Sequence, residues 1–173
     1  MKTDKKHNHK EETICPYCGA SLVMRWERLS KGLVKTLIEF RKEVVEKNKF
    51  NRVHPRKDMK LGISEYANFQ KLRYHGLVAH VKKADGTEDS GYYLLTRRGN
   101  LFCKNQIEVP EKVLIFRNKI EARGTTFTNV ERILKGIDIP YWDGKEDFDI
   151  EFKDIDDYAD IRFDNNGQGL LGL

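Results

Sequence analysis

Between Ser64 and Phe102 the chain reads SEYANFQKLRYHGLVAHVKKADGTEDSGYYLLTRRGNLF, and two hydrophobic periods follow one another there with clear punctuation. Tyr66, Phe69 and Leu72 recur at i, i+3 and i+6, which predicts a helix capped by Ser64. Gly76 fits the left-handed position that stops such a helix. Leu77, Ala79 and Val81 then alternate as one face of a strand. ADGTEDSG is a turn rich in Asp and Gly, YYLLT returns as a second strand, and Thr96 can cap a helix beginning RRGNLF. Upstream, Ser30 caps a helix through about Lys47, with Leu33, Val34, Leu37, Ile38, Val44 and Val45 near one face. Pro55 holds His54 extended or in a turn, and a short helical segment leads to a turn at Gly62. The order is helix, helix, helix, hairpin, helix.

This pattern resembles the winged helix-turn-helix superfamily, in which a helical trio carries a β-hairpin wing. FQKLRYHGLV matches its third helix and glycine stop, and YYLLTRRGNLF matches the strand-to-helix segment after the wing. The resemblance covers roughly residues 30–105. Together with a CPxCG turn before it and the segment IEVPEKVLIF after it, the chain is also similar to uncharacterised proteins of bacteria and their phages, which bring no activity with them. The expected fold class is α+β. Residues 1–29 form a flexible lead-in and a zinc-ribbon-like CxxC element, 30–105 the winged helix, 106–137 a β extension with a short helix, and 138–173 an acidic tail. SLVMRWERL (21–29) suits a short strand. IEVPEKVLIFRNKIEA is extended with a turn near Arg117–Asn118, and TFTNVERILKG (126–136) is a short helix closed by Gly136. In the tail, Phe148, Ile150 and Phe152 alternate with acidic residues as in a strand, and DNNGQGLLGL at the end reads as mobile.

The resemblance implies that the third helix enters the major groove and that the wing lies on backbone or minor groove. With Tyr66, Phe69 and Leu72 inward, helical spacing turns Gln70, Lys71 and Tyr74 outward, with Asn68 and His75 on a flank. Gln and Asn can pair with adenine edges, and Lys with guanine or phosphate. Arg73, Lys82, Lys83, Arg97 and Arg98 form the expected phosphate rim. The wing tip departs from this picture, because Asp85, Glu88 and Asp89 would repel phosphate. A solvated helix face would be equally polar.

The CPYCG turn (15–19) is a half-site for zinc: two thiolates at this spacing can hold one ion while nearby backbone N–H groups donate to the sulfurs. The one other cysteine, Cys103, is the candidate third ligand, although its neighbours Leu101 and Phe102 also suit simple core packing. His7, His9, His54, His75 and His80 are further candidates, as is a dimer in which each chain supplies one CxxC. Such a zinc would be structural. The rival readings are free thiols or a redox pair, and the latter lacks its usual βαβ surroundings.

Charge separates the two ends of the chain. From Asp138 onward there are 11 acidic and 3 basic residues, so residues 1–137 carry 29 basic and 16 acidic side chains. A body of +13 attracts polyanions and a tail of −8 repels them. The composition contains no apolar run near membrane-spanning length, no secretory h-region in the first residues and no disulfide framework, which points to the cytoplasm. Walker A, G-x-S-x-G and HExxH signatures are absent, and the tail carboxylates lack an EF-hand register. The expectation is therefore a non-enzymatic, DNA-binding transcriptional regulator of phage or mobile-element origin, binding double-stranded DNA, in some arrangements as a homodimer. The alternative is a protein-interaction module whose acidic tail, with Tyr141, Trp142, Phe148, Phe152 and Tyr158, docks on a basic partner. That tail could also fold onto its own basic body and compete with DNA.

Overall fold

In the computed structural model, which describes residues 23–47, 51–116 and 119–138, Ser30 starts the longest helix. Its Oγ accepts the Leu33 N–H at 3.3 Å, and α1 runs Lys31–Lys47. The buried stripe of α1 is Leu33, Val34, Leu37, Ile38, Phe40 and Val44, and Arg41 goes inside with them. That cation is satisfied in part by Asn100, whose Oδ1 accepts from Arg41 Nε at 2.9 Å. Burying such a group is tolerable only with partners of this kind.

Two short helices follow. His54 caps α2 (Pro55–Asp58), its Nδ1 accepting the Lys57 N–H at 3.3 Å. The next helix, α3 (Ile63–Phe69), starts one turn-position earlier than the sequence suggests: Gly62 is the cap, not Ser64. The reason is Glu65, whose Oε2 reaches back to the Gly62 N–H at 3.0 Å and does what a capping side chain would. After Phe69 the chain tightens into a 3₁₀ turn over Gln70–Arg73. Gly76, at φ 72, ends it, and the Leu77 N–H closes the turn on the Leu72 carbonyl at 3.2 Å.

The hairpin consists of β2 (Val78–Lys82) and β3 (Glu88–Leu95), paired antiparallel with Val78 opposite Leu95 and His80 opposite Tyr93. The next pair is Lys82 with Glu88, so Val81 alone faces residues 89–92 and β3 bulges outward. Leu77, Val78 and Ala79 are all buried, so the start of β2 is covered on both faces and not on the alternating face expected. A third segment joins this sheet. Val53 exchanges both backbone hydrogen bonds with Tyr93, at 2.9 and 2.8 Å. The Asn51 side chain then copies a strand residue: its Nδ2 donates to the Leu95 carbonyl at 2.7 Å and its Oδ1 accepts the Leu95 N–H at 2.6 Å.

Thr96 joins the hairpin to α4 (Arg97–Cys103) as expected. Its Oγ1 accepts the Gly99 N–H at 2.9 Å and donates to the Gly76 carbonyl at 2.7 Å. One hydroxyl thus caps a helix and pins the stop of the preceding one.

The remaining strands build a second layer. A sheet in the order β1-β5-β6 joins β1 (Arg25–Arg28) to the later strands β5 (Lys112–Phe116) and β6 (Lys119–Arg123). The first strand therefore pairs with the C-terminal extension and not with the hairpin. Two-residue strands β4 (Val109–Pro110) and β7 (Phe127–Thr128) pair beside it. The helix expected over 126–136 shortens to α5 (Val130–Ile133), because Phe127 and Thr128 are taken by β7 and Asn129 provides the cap.

The main core gathers α1, Phe69, Leu72, Leu77, Val78, Tyr93, Leu95, Phe102, Val109, Val130 and Leu134. A smaller core of Tyr74, Val113, Ile115 and Ile120 joins the sheet β1-β5-β6 to the 3₁₀ turn. The described part of the chain is mixed α and β with small sheets, and none of its helices is long and apolar enough to cross a membrane.

Candidate nucleic-acid interface

The polar face of α3 and of the 3₁₀ turn after it is one wall of a groove. Glu65, Asn68 and Lys71, spaced by three, face Ser30, Gly32, Leu33 and Thr36 at the start of α1, with Arg28 closing one end around a volume of about 320 Å³. Asn68 is exposed and Gln70 and Lys71 are half-buried. Lys71 Nζ lies 3.2 Å from Glu27 Oε2, and Glu27 is also held by Arg25 at 2.6 Å. The β1 strand thus places a carboxylate against a lysine of the candidate reading face, a contact without a signal in the local sequence.

Tyr74 is a correction. Helical spacing turns it outward, whereas the structure buries it against Val113, Ile115 and Ile120. The cause is twofold: the 3₁₀ turn advances residues by more per step than an α-helix, and the β5–β6 hairpin occupies the side that would have been solvent. His75, expected on a flank, is buried too, at 4% exposure. Arg73 sits beside Tyr74, its guanidinium 5.6 Å from the ring centre.

The hairpin's acidic residues have local partners. Asp85 shapes the turn, accepting from the Thr87 N–H at 2.9 Å and the Thr87 hydroxyl at 2.6 Å, which holds its carboxyl below the usual range. Glu88 lies 3.7 Å from Lys82 Nζ. Asp89 binds Arg52, whose guanidinium also stacks 3.7 Å over the Tyr92 ring and is held above its ordinary pKa by Asp89. His54 packs edge-on against Tyr92 at 5.1 Å and under Gly91, where φ is 79 and an added Cβ would stand 2.5 Å from His54 Nε2. The carboxylates that oppose phosphate in the sequence reading are therefore engaged locally, Asp85 in the turn and Glu88 and Asp89 on the bulged strand. Exposed pairs of this kind are weak and exchange readily.

Lys83 and Arg97 are exposed, while Arg98 is half-buried in the first turn of α4. Arg98 has company that the sequence does not announce. Arg123, at the end of β6, acts on it electrostatically, and Arg98 in turn acts on His75.

Of the candidate zinc ligands, Cys15, Cys18, His7 and His9 lie outside the described residues. Cys103 is fully buried in the main core, and burial pushes its thiol up to about 12, with the nearby Arg41 opposing. Zinc binds the thiolate, so these surroundings suit a packed core thiol. His54, His75 and His80 are spread over a helix cap, a core and a strand, and the described residues contain no cluster of three ligating side chains.

Comparison of the chain with protein-family models, with curated proteins and with solved structures finds no match.

Proposed function

We propose that this chain is a winged-helix DNA-binding protein, acting as a non-catalytic transcriptional regulator, with Asn68, Gln70 and Lys71 as its reading face. The observation that supports this reading is the union of three helices with a two-stranded hairpin to which Val53 adds a single bridge. Between α1 and α2, Val53 bridges to Tyr93 and the Asn51 side chain bonds Leu95, while α3 and its 3₁₀ turn lead directly into β2. This order, in a body of +13, favours contact with a polyanion. Lys83, Arg97 and Arg98 supply the phosphate rim, and Lys82 joins it when its exposed partner Glu88 yields to phosphate, whereas Lys71 stays paired with the buried Glu27. Cys15 and Cys18 hold a structural zinc that braces the start of β1.

Chemical-shift mapping of the labelled full-length protein with a short duplex tests the reading. Perturbations are expected at Asn68, Gln70 and Lys71 and along Lys82–Lys83. Changes confined to other surfaces would contradict this assignment of the interface.

A further inference from the structure

Each of several cations in the described structure has an identified partner: Arg41 has Asn100, Arg52 has Asp89, Lys71 has Glu27, and Arg132 has Glu108 at 2.8 Å. Arg98 and Arg123 differ. Neither has a carboxylate among the described residues, although Arg98 is half-buried and its Nε is enclosed without a hydrogen-bond acceptor. Burial weakens the charged form of Arg98, and the nearby Arg123 charge weakens it further. Arginine does not escape this by losing its proton. A half-buried guanidinium with a second, exposed guanidinium close enough to act on it favours an anion between them.

The fold sets this pair deliberately close to a third polar group. Arg123 stands opposite Val113 in the β5–β6 pairing, and Val113 packs with Tyr74 in the smaller core. His75 follows Tyr74 directly. Both of its ring nitrogens are enclosed without a partner: the Pro110 carbonyl favours its charged form but does not reach hydrogen-bond geometry. The end of the 3₁₀ turn and α4 thus bring enclosed, unpartnered nitrogens of His75 and Arg98 near one another, and β6 adds the exposed Arg123 guanidinium beside Arg98. Guanidinium forks match the oxygens of phosphate bidentately, and a neutral imidazole adds a donor without adding charge.

We propose that Arg98 and Arg123, with His75 beside them, form a phosphate-binding site that takes a backbone phosphate of nucleic acid. Its nucleic-acid source rests on the reading above, while the anion site itself does not. It extends the interface from the hairpin onto the sheet β1-β5-β6, so the C-terminal extension contributes to binding.

The test uses the full-length protein in two arms. In the first, inorganic phosphate replaces chloride at equal ionic strength, and the His75 ring is followed by NMR as pH is varied. Phosphate should move the His75 titration upward from its low value in the wild type, and the exposed Arg123→Gln variant should lose that response. In the second, duplex affinity is measured against salt: Arg123→Gln should weaken binding and lower the salt slope by about one, while Arg123→Lys should keep the slope. No response of wild-type His75 to phosphate, or an equal response in Arg123→Gln, overturns the site. Unchanged affinity and slope in Arg123→Gln overturns its role in nucleic-acid binding. A phosphate response without any duplex binding at low salt would keep the anion site and remove both its proposed source and the DNA-binding reading.

Discussion

Gly99, in the first turn of α4, lies so close to the backbone of Leu77 that a Cβ there would overlap the Leu77 carbonyl oxygen and stand 2.9 Å from both its carbonyl carbon and Leu95 Cδ1. This approach joins α4 to the start of the hairpin, and Thr96 secures it by bonding both Gly99 and Gly76. Because the obstacle is backbone, it cannot swing aside. Gly99→Ala should cost about 1–3 kcal/mol by overpacking, despite the usual helical advantage of Ala over Gly. Urea unfolding of the two proteins checks it; a stabilised variant would show that the contact is looser than described.

Asn51 has φ 54 and satisfies both backbone groups of Leu95 through its side chain. Asn51→Gly relieves the backbone but leaves the Leu95 N–H and carbonyl without their partner, at about 1–3 kcal/mol for such buried groups. Asn51→Ala should lose more, since it adds the left-handed strain. Equal losses in the two variants would mean that the side-chain clamp alone matters.

His75 makes stability depend on pH. Burial pushes its pKa from 6.5 down to about 4, the Pro110 carbonyl opposes this, and the Arg98 charge adds to the fall. Between these values the unfolded chain binds a proton that the native chain refuses. The stability is thus present in full above pH 6.5 and is lost as pH falls toward 4, by roughly 3 kcal/mol in all. Denaturation midpoints taken across that range in phosphate-free buffer should slope accordingly, and His75→Gln should flatten the His75 contribution. An unaltered slope in that variant would assign the acid sensitivity to other groups.

Cys103 should be inert. With its thiol raised to about 12 and fully buried, it should resist alkylation in the native state and react only on unfolding. Zinc content of the purified protein should survive Cys103→Ala and fall on Cys15→Ser or Cys18→Ser. Loss of zinc in Cys103→Ala would return Cys103 to the ligand set.

The local signals in the sequence carried far along the helices and the hairpin, because each is written within a few residues. Ser30 and Thr96 are caps, Gly76 is a left-handed stop, and Asp85 and Gly86 make the turn, all within reach of a single-sequence reading. What was not legible depends on long-range pairing. Nothing near Arg25–Arg28 says that the strand pairs with Lys112–Phe116, and without that sheet Tyr74 looks like an exposed residue. Asn51 was equally silent, since its role exists only once Leu95 is beside it. The same holds for Arg98 and Arg123: the sequence places Arg98 in the expected phosphate rim but does not single out Arg123, and the two become neighbours only through the β5–β6 pairing. A reading face on Asn68, Gln70 and Lys71 could be proposed from spacing, whereas the Glu27 contact to Lys71 could not.

The most direct test of DNA binding is fluorescence anisotropy of a labelled duplex with the full-length protein, titrated at several salt concentrations. The proposed function predicts saturable binding at low salt, a linear fall of log affinity with log salt, and weaker binding by Asn68→Ala/Gln70→Ala with the slope retained, since the proposal assigns those side chains to bases rather than phosphates. No binding at low salt, or binding untouched by that double substitution, would contradict it.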